Sequence, residues 1–84
     1  MTEKISADLF LDITSQVCPL TFVKTKLMVE RMDAGQTLEV RLNAGEPLEN
    51  VPRSLIELGH SILSVQPERL DDPDGVHRLI VRKN

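Results

Sequence analysis

From Thr37 to Asn43 the chain alternates without a fault. Leu38, Val40 and Leu42 share one face, and Thr37, Glu39 and Arg41 share the other. A period of two predicts a strand with one face in a core and the other in water. Such a strand needs a cover for its apolar face, and the segment before it offers one. From Pro19 to about Asp33, at about 100° per residue, Thr21, Phe22, Thr25, Met28, Val29 and Met32 fall in one uncharged arc of roughly 120°. This predicts a helix packed through that arc, with Gly35 just beyond it as a stop. Leu20, Val23 and Leu27 fall on the other side, among Lys24, Lys26, Glu30 and Arg31. They are expected to be partly exposed.

The remaining elements follow from turn chemistry and pattern. Leu9 to Ile13, broken only by Asp12, reads as a first strand. Asn50 is a good helix cap with Pro52 in the first turn, and Val51, Leu55 and Leu58 follow at helical spacing until Gly59. Ala44 to Glu49 is then a loop. Ser61 to Gln66 reads as a third strand. Asp71-Asp72-Pro73-Asp74-Gly75 is a turn signal, and Val76 to Arg82 is a fourth strand with Leu79 and Val81 on one face. The order β-α-β-α-β-β predicts an α/β fold: a two-layer sandwich in which two helices cover one face of a four-stranded mixed sheet. Residues 1–8 are expected to be a flexible N-terminal segment, and residues 9–84 a single domain.

Composition narrows the function. Phe10 and Phe22 are the only aromatic residues in the 84, so the core must be Leu, Ile, Val and Met. Stacking of single-stranded bases has no rings to use. The net charge is −3, and no basic stripe is present to neutralise phosphates, which argues against nucleic-acid binding. The small clusters Lys24, Lys26, Arg31 and Arg78, Arg82, Lys83 suit an acidic protein surface. One cysteine excludes an internal disulfide. One cysteine and two histidines do not make the usual structural zinc set. No signal-peptide pattern or membrane-length apolar run is present, so the expected location is cytoplasmic.

That one cysteine is placed where chemistry is favoured. Cys18-Pro19 stands between the first strand and the helix, and proline suits a first helical turn. Helix-opening N–H groups and the helix dipole favour negative charge. There a thiol's pKa falls from about 8.5 toward 7 or below, which turns a few per cent of thiolate into about half at neutral pH. Against this stands the commoner role of a lone cysteine as a small buried hydrophobe. Thr21 has two roles open, packing on the uncharged arc or a hydrogen bond to the sulfur site. Asp12 at the strand end suits a turn bond and could orient the Cys18 loop. His60 after Gly59 reads as a partly solvated turn residue, His77 as an exposed residue among arginines, and the acidic run from Glu68 to Asp74 as a solvated hairpin connection. Leu20, Val23 and Leu27, with Lys24, are either scattered surface residues or a docking stripe beside Cys18.

Leu11-Asp12, Cys18-Pro19-Leu20-Thr21-Phe22, Gly35-Gln36-Thr37-Leu38, Asn50-Val51-Pro52 and Gly59-His60 together resemble the TusA/SirA-like sulfurtransferase family. The resemblance runs from about Leu9 to Lys83. It implies the same two-layer fold and a sulfur carrier that holds sulfane sulfur as a persulfide on Cys18. It also implies a donor, a cysteine desulfurase or rhodanese-like protein, and an acceptor protein, in routes that include thiolation of transfer RNA and sulfur oxidation. No metal or organic cofactor is implied, and a monomer is the default. The family motif is Cys-Pro-x-Pro; here Thr21 stands in place of the second proline, which marks a divergent branch. Loss of the chemistry with retention of the fold would leave a protein-interaction or regulatory module. RNA binding, known for similar two-layer folds, is the third reading and runs against the charge.

Overall fold

The computed structural model describes residues 7–17 and 20–84. Its elements are β1 (Leu9–Asp12), α1 (Leu20–Glu30), β2 (Thr37–Asn43), α2 (Glu46–Glu57), β3 (Ser61–Pro67) and β4 (Val76–Arg82). The strands form one sheet in the order β1-β2-β4-β3. β1 runs parallel to β2, while β2–β4 and β3–β4 are antiparallel. A parallel pair needs a crossover, which α1 supplies; the β3–β4 hairpin needs only a loop. The expected α/β sandwich with a four-stranded mixed sheet is therefore the fold. No helix among the described residues is long and apolar enough to cross a membrane.

The alternation in β2 sorts the sheet's two faces. Leu38 pairs with Leu9 and Val81, and Val40 with Leu11 and Leu79. All but the exposed Leu9 belong to the core or pack against it, where Ile13, Val29, Met32, Leu42, Val51 and Leu55 join them. Phe10, Asp12, Glu39, Arg41, Arg78 and Ile80 pair with one another on the opposite face. Ile80 alone of that face is a buried apolar residue, flanked in register by Glu39 and Ser64. β3 shifts register between Ile62 and Ser64, a bulge at Leu63.

α1 ends at Glu30, short of the expected Asp33, but the segment packs as its wheel predicts: Thr21, Thr25 and Val29, and Met32 just beyond the helix, are buried, and Phe22 and Met28 partly so. The Thr25 hydroxyl donates to the Thr21 carbonyl at 2.8 Å, which satisfies it inside the core. Leu20, Val23 and Leu27 are 46%, 39% and 49% exposed, as expected for the outer side.

α2 ends at Gly59 as expected but departs from expectation at its start and in its inner stripe. It begins at Glu46, not Asn50, with Gly45 at φ 95° as its cap and Pro47 in the first turn. Two prolines each satisfied the first-turn rule, and the earlier one starts the helix. Pro52 lies inside it, where it has no N–H to give to the Leu48 carbonyl. Asn50 accepts instead from Arg53 at 2.6 Å. The buried stripe is Leu48, Val51 and Leu55, whereas Leu58 is the C-cap and 46% exposed. Gly59 at φ 96° then turns the chain, a conformation with little steric cost only for glycine. His60 fits a turn role: its N–H donates to the Leu55 carbonyl and its Nδ1 accepts from the Asn84 N–H.

Two further expectations are corrected. His77 is buried, not exposed. It shares parity with Leu79 and Val81, so it points to the helical side, opposite Leu42 and Pro67, with Nδ1 3.0 Å from the Gly75 carbonyl. Glu68 is not part of a freely solvated acidic run; it is half-buried between two arginines.

Candidate functional site

Cys18 and Pro19, the centre of the site read from the sequence, lie outside the described residues; both chain segments leading to them are described. On the strand side, Asp12 ends β1 and folds the chain back on itself. Its Oδ1 accepts from the Thr14 N–H at 2.9 Å and from the Thr14 hydroxyl at 2.7 Å. This is the turn expected of an Asp at a strand end. The Gln16 N–H then donates to the Ile13 carbonyl at 3.1 Å. On the helix side, the Leu20 N–H donates to the Val17 carbonyl at 2.8 Å, drawing the two ends of the Val17–Leu20 stretch together at the start of α1. Val17 is 72% exposed and Leu20 46% exposed, so the described residues on either side of Cys18-Pro19 both face solvent.

β2 holds the strand side in place. The Ile13 N–H donates to the Arg41 carbonyl at 2.9 Å, and Asn43 Nδ2 donates to the Thr14 carbonyl at 2.8 Å. Arg41 Nη1 reaches Asp12 Oδ2 at 3.2 Å and Thr14 Oγ1 at 3.5 Å. The other edge of the same guanidinium forks onto Glu68, with Nε to Oε1 at 2.7 Å and Nη2 to Oε2 at 3.1 Å. Arg78 Nε also donates to Glu68 Oε1, at 3.0 Å, and its Nη1 to Glu39 Oε2 at 3.3 Å. Its guanidinium carbon lies 6.0 Å from the Phe10 ring centroid. Arg41 and Arg78 are direct cross-strand partners, a pairing of like charges that destabilises a sheet unless an anion lies between them. Glu68 is that anion.

The titration behaviour follows this geometry. Hydrogen bonds from Arg41 and then Arg78 hold the Glu68 carboxyl down at about 2. The backbone and side-chain hydrogen bonds of Thr14, then Arg41, hold Asp12 below the usual carboxylate range. Both acids are therefore charged wherever a thiol would ionise.

Of the residues singled out from sequence, the structure brings Asp12 to the base of the loop. Thr21 lies on the buried face of α1, and Leu20, Val23, Lys24 and Leu27 lie on its exposed side. Sequence reading missed Arg41, Asn43 and Glu68. Alternation marks Arg41 and Arg78 as outward residues, but that their strands are neighbours, with Glu68 between them, is known only from the sheet order.

Comparison with known proteins decides the family: residues 9–83 match the family described as Sulfurtransferase TusA. The chain belongs to the TusA family. A protein of Archaeoglobus fulgidus is 42% identical over 65 residues, covering 77% of this chain and 74% of that protein. One of Thermotoga maritima is 34% identical over 56 residues, covering 67% and 71%. Both carry the name "Putative sulfur carrier protein". The crystal structure of a SirA-like protein from Desulfitobacterium hafniense superposes with a TM-score of 0.72 at 19% identity, covering 88% of this chain and 95% of that one, and shares the fold.

Proposed function

We propose that this TusA-family protein is a sulfur carrier that holds sulfane sulfur as a persulfide on Cys18. The observation that carries the reading is the family match over residues 9–83, in a chain whose single cysteine lies at position 18. The exposed flanks Val17 and Leu20, and a helix starting at Leu20, support it. The Cys18 thiolate attacks the terminal sulfur of a donor persulfide. A Cys18 S–S bond forms, the donor's S–S bond breaks, and the donor leaves as a thiolate. An acceptor thiolate then attacks the terminal sulfur now on Cys18, and Cys18 leaves as a thiolate in turn. Each exchange is redox-neutral and needs no oxidant. Amide groups at the start of a helix stabilise the anionic sulfur in both steps.

In this reading Asp12 shapes the turn that leads toward Cys18. Thr21 is 1% exposed, which supports a packing role for it. The exposed stripe Leu20, Val23 and Leu27, with Lys24 beside it, begins two residues after Cys18 and docks the donor or acceptor protein. A carrier working through a free thiol belongs in the cytoplasm, where thiols stay reduced.

The test is intact-mass analysis after incubation with a cysteine desulfurase and cysteine, or a rhodanese and thiosulfate. The protein should gain one sulfur atom that a reductant removes, and Cys18→Ser should gain none. A wild-type chain that takes no labile sulfur from any of several donors overturns the proposal and favours a protein-interaction module of the same fold.

A further inference from the structure

We infer that His60 and Asn84 form a proton-sensitive latch, closed while the imidazole is neutral and opened when it is protonated. The inference goes beyond the sulfur-carrier reading and does not depend on it. Asn84 reaches back from the end of β4 to the turn between α2 and β3. Its backbone N–H donates to His60 Nδ1 at 3.3 Å. Its side-chain Nδ2 donates to the Gly59 carbonyl at 2.6 Å and to Ser61 Oγ at 2.9 Å. Gly59 turns the chain at φ 96°, and Ser61, the first residue of β3, pairs with Arg82. One residue therefore ties together the close of α2, the start of an edge strand and the end of β4.

The partners decide which ring nitrogen carries the proton. A backbone N–H can only donate, so the His60 Nδ1 that faces it must present a lone pair, and the neutral ring keeps its proton on Nε2. A second proton can then go only to Nδ1. It sets one N–H against another, and the bond is lost. His77 is built the other way round. Its Nδ1 lies 3.0 Å from the Gly75 carbonyl, which can only accept, so Nδ1 already carries the proton. Protonation of His77 at Nε2 leaves that bond in place. Of the two histidines, His60 alone makes a contact that its own charging breaks. At this end of the molecule the charged side chains are Glu57, three residues before His60 at the close of α2, and Arg82 and Lys83 beside Asn84; β3 contributes none. Arg82 Nε lies 3.4 Å from Asn84 Oδ1, and Lys83 Nζ donates to the Glu30 carbonyl at 3.1 Å. Among the described residues no ion pair is formed with His60. The latch is closed at the alkaline end of the range in which histidine ordinarily charges, about pH 5 to 8, and open at the acid end.

The test is an NMR titration across that range of the wild-type chain and of His60→Gln, whose side-chain oxygen accepts a hydrogen bond but does not titrate. At the alkaline end the ring nitrogens should show His60 protonated on Nε2 and His77 on Nδ1. As pH falls, the wild-type Asn84 amide proton should lose its hydrogen-bonded shift in step with the His60 ring. Its exchange with solvent, relative to an unprotected amide at the same pH, should speed up by about two- to tenfold, the worth of one hydrogen bond. In His60→Gln both readings should stay flat, and the charging of His77 should leave Asn84 unmoved. A wild-type Asn84 amide that ignores the His60 titration overturns the inference. So does one that still shifts in His60→Gln, or a neutral His60 ring that carries its proton on Nδ1. None of these readings involves sulfur, so they decide this point even if the chain proves unable to accept sulfur.

Discussion

The two helices lie on the same face of one sheet and are built on opposite plans. α2 follows the usual one: Leu48, Val51 and Leu55 turn inward, while Glu46, Glu49, Arg53, Glu57 and a single apolar residue, Ile56, face water. α1 sets two threonines against the core and leaves Leu20, Val23 and Leu27 outside. A helix selected for stability alone would exchange those positions, because each buried leucine contributes about 1.5–3 kcal/mol that an exposed one does not. The contrast teaches that α2 turns most of its apolar residues to the core, whereas α1 leaves three on its outer face, where the proposed docking would use them. The exposed apolar residues of α1 also begin beside Cys18 in the chain.

Breaking α2's inner face should have the largest effect. Leu55 is fully buried, and Leu55→Ala should destabilise the fold by about 2–5 kcal/mol in chemical denaturation. Breaking α1's outer face should leave the fold nearly intact: Leu20→Ser, Val23→Ser and Leu27→Ser should each cost no more than about 0.5 kcal/mol. Combined, they should slow sulfur uptake from a donor protein by roughly tenfold while leaving alkylation of Cys18 by a small reagent unchanged. If the triple variant loses stability as Leu55→Ala does, the contrast between the helices is wrong.

Acid sharpens the comparison by acting on the opposite side of the sheet. Glu68 is held at about 2, below its ordinary 4.5. A lowered carboxylate stabilises the fold fully above its unfolded value and loses that contribution as pH falls toward the folded one. Stability should therefore fall from about pH 4.5 to about pH 2, and more shallowly in Glu68→Gln, as denaturation midpoints across that range will show. The smallest effect is expected at Thr25→Val. The Thr21 carbonyl keeps its helical N–H partner when the hydroxyl is removed, so no acceptor is orphaned, and stability should move by less than about 0.5 kcal/mol.

Much of the fold was legible in the sequence because its strongest signals are local. Alternation over Thr37–Asn43 gave the central strand and both of its faces, and the uncharged arc gave α1 its inner side despite the threonines there. α2's start was not legible, because Pro47 and Pro52 satisfy the same rule and only the backbone at Gly45 separates them. His77 was misread from its charged neighbours, although its parity with Leu79 was available. At the site, the Asp12 turn was readable, being two residues long. Its anchoring by Arg41, Asn43 and Glu68 was not, because the register that brings residues 27 to 29 positions apart into contact belongs to the sheet.

β1 is four residues long, lies at the rim of the sheet and pairs only with β2. Bonded to a strand on one side alone, it should exchange its amides with solvent through local opening before those of β2 and β4 unzip in global unfolding. Such an opening would release the residues that lead to the thiol while the remaining three strands and α2 stay folded. On the proposed reading, that seam lets the segment before Cys18 fit first a donor and then an acceptor while the rest of the sheet holds.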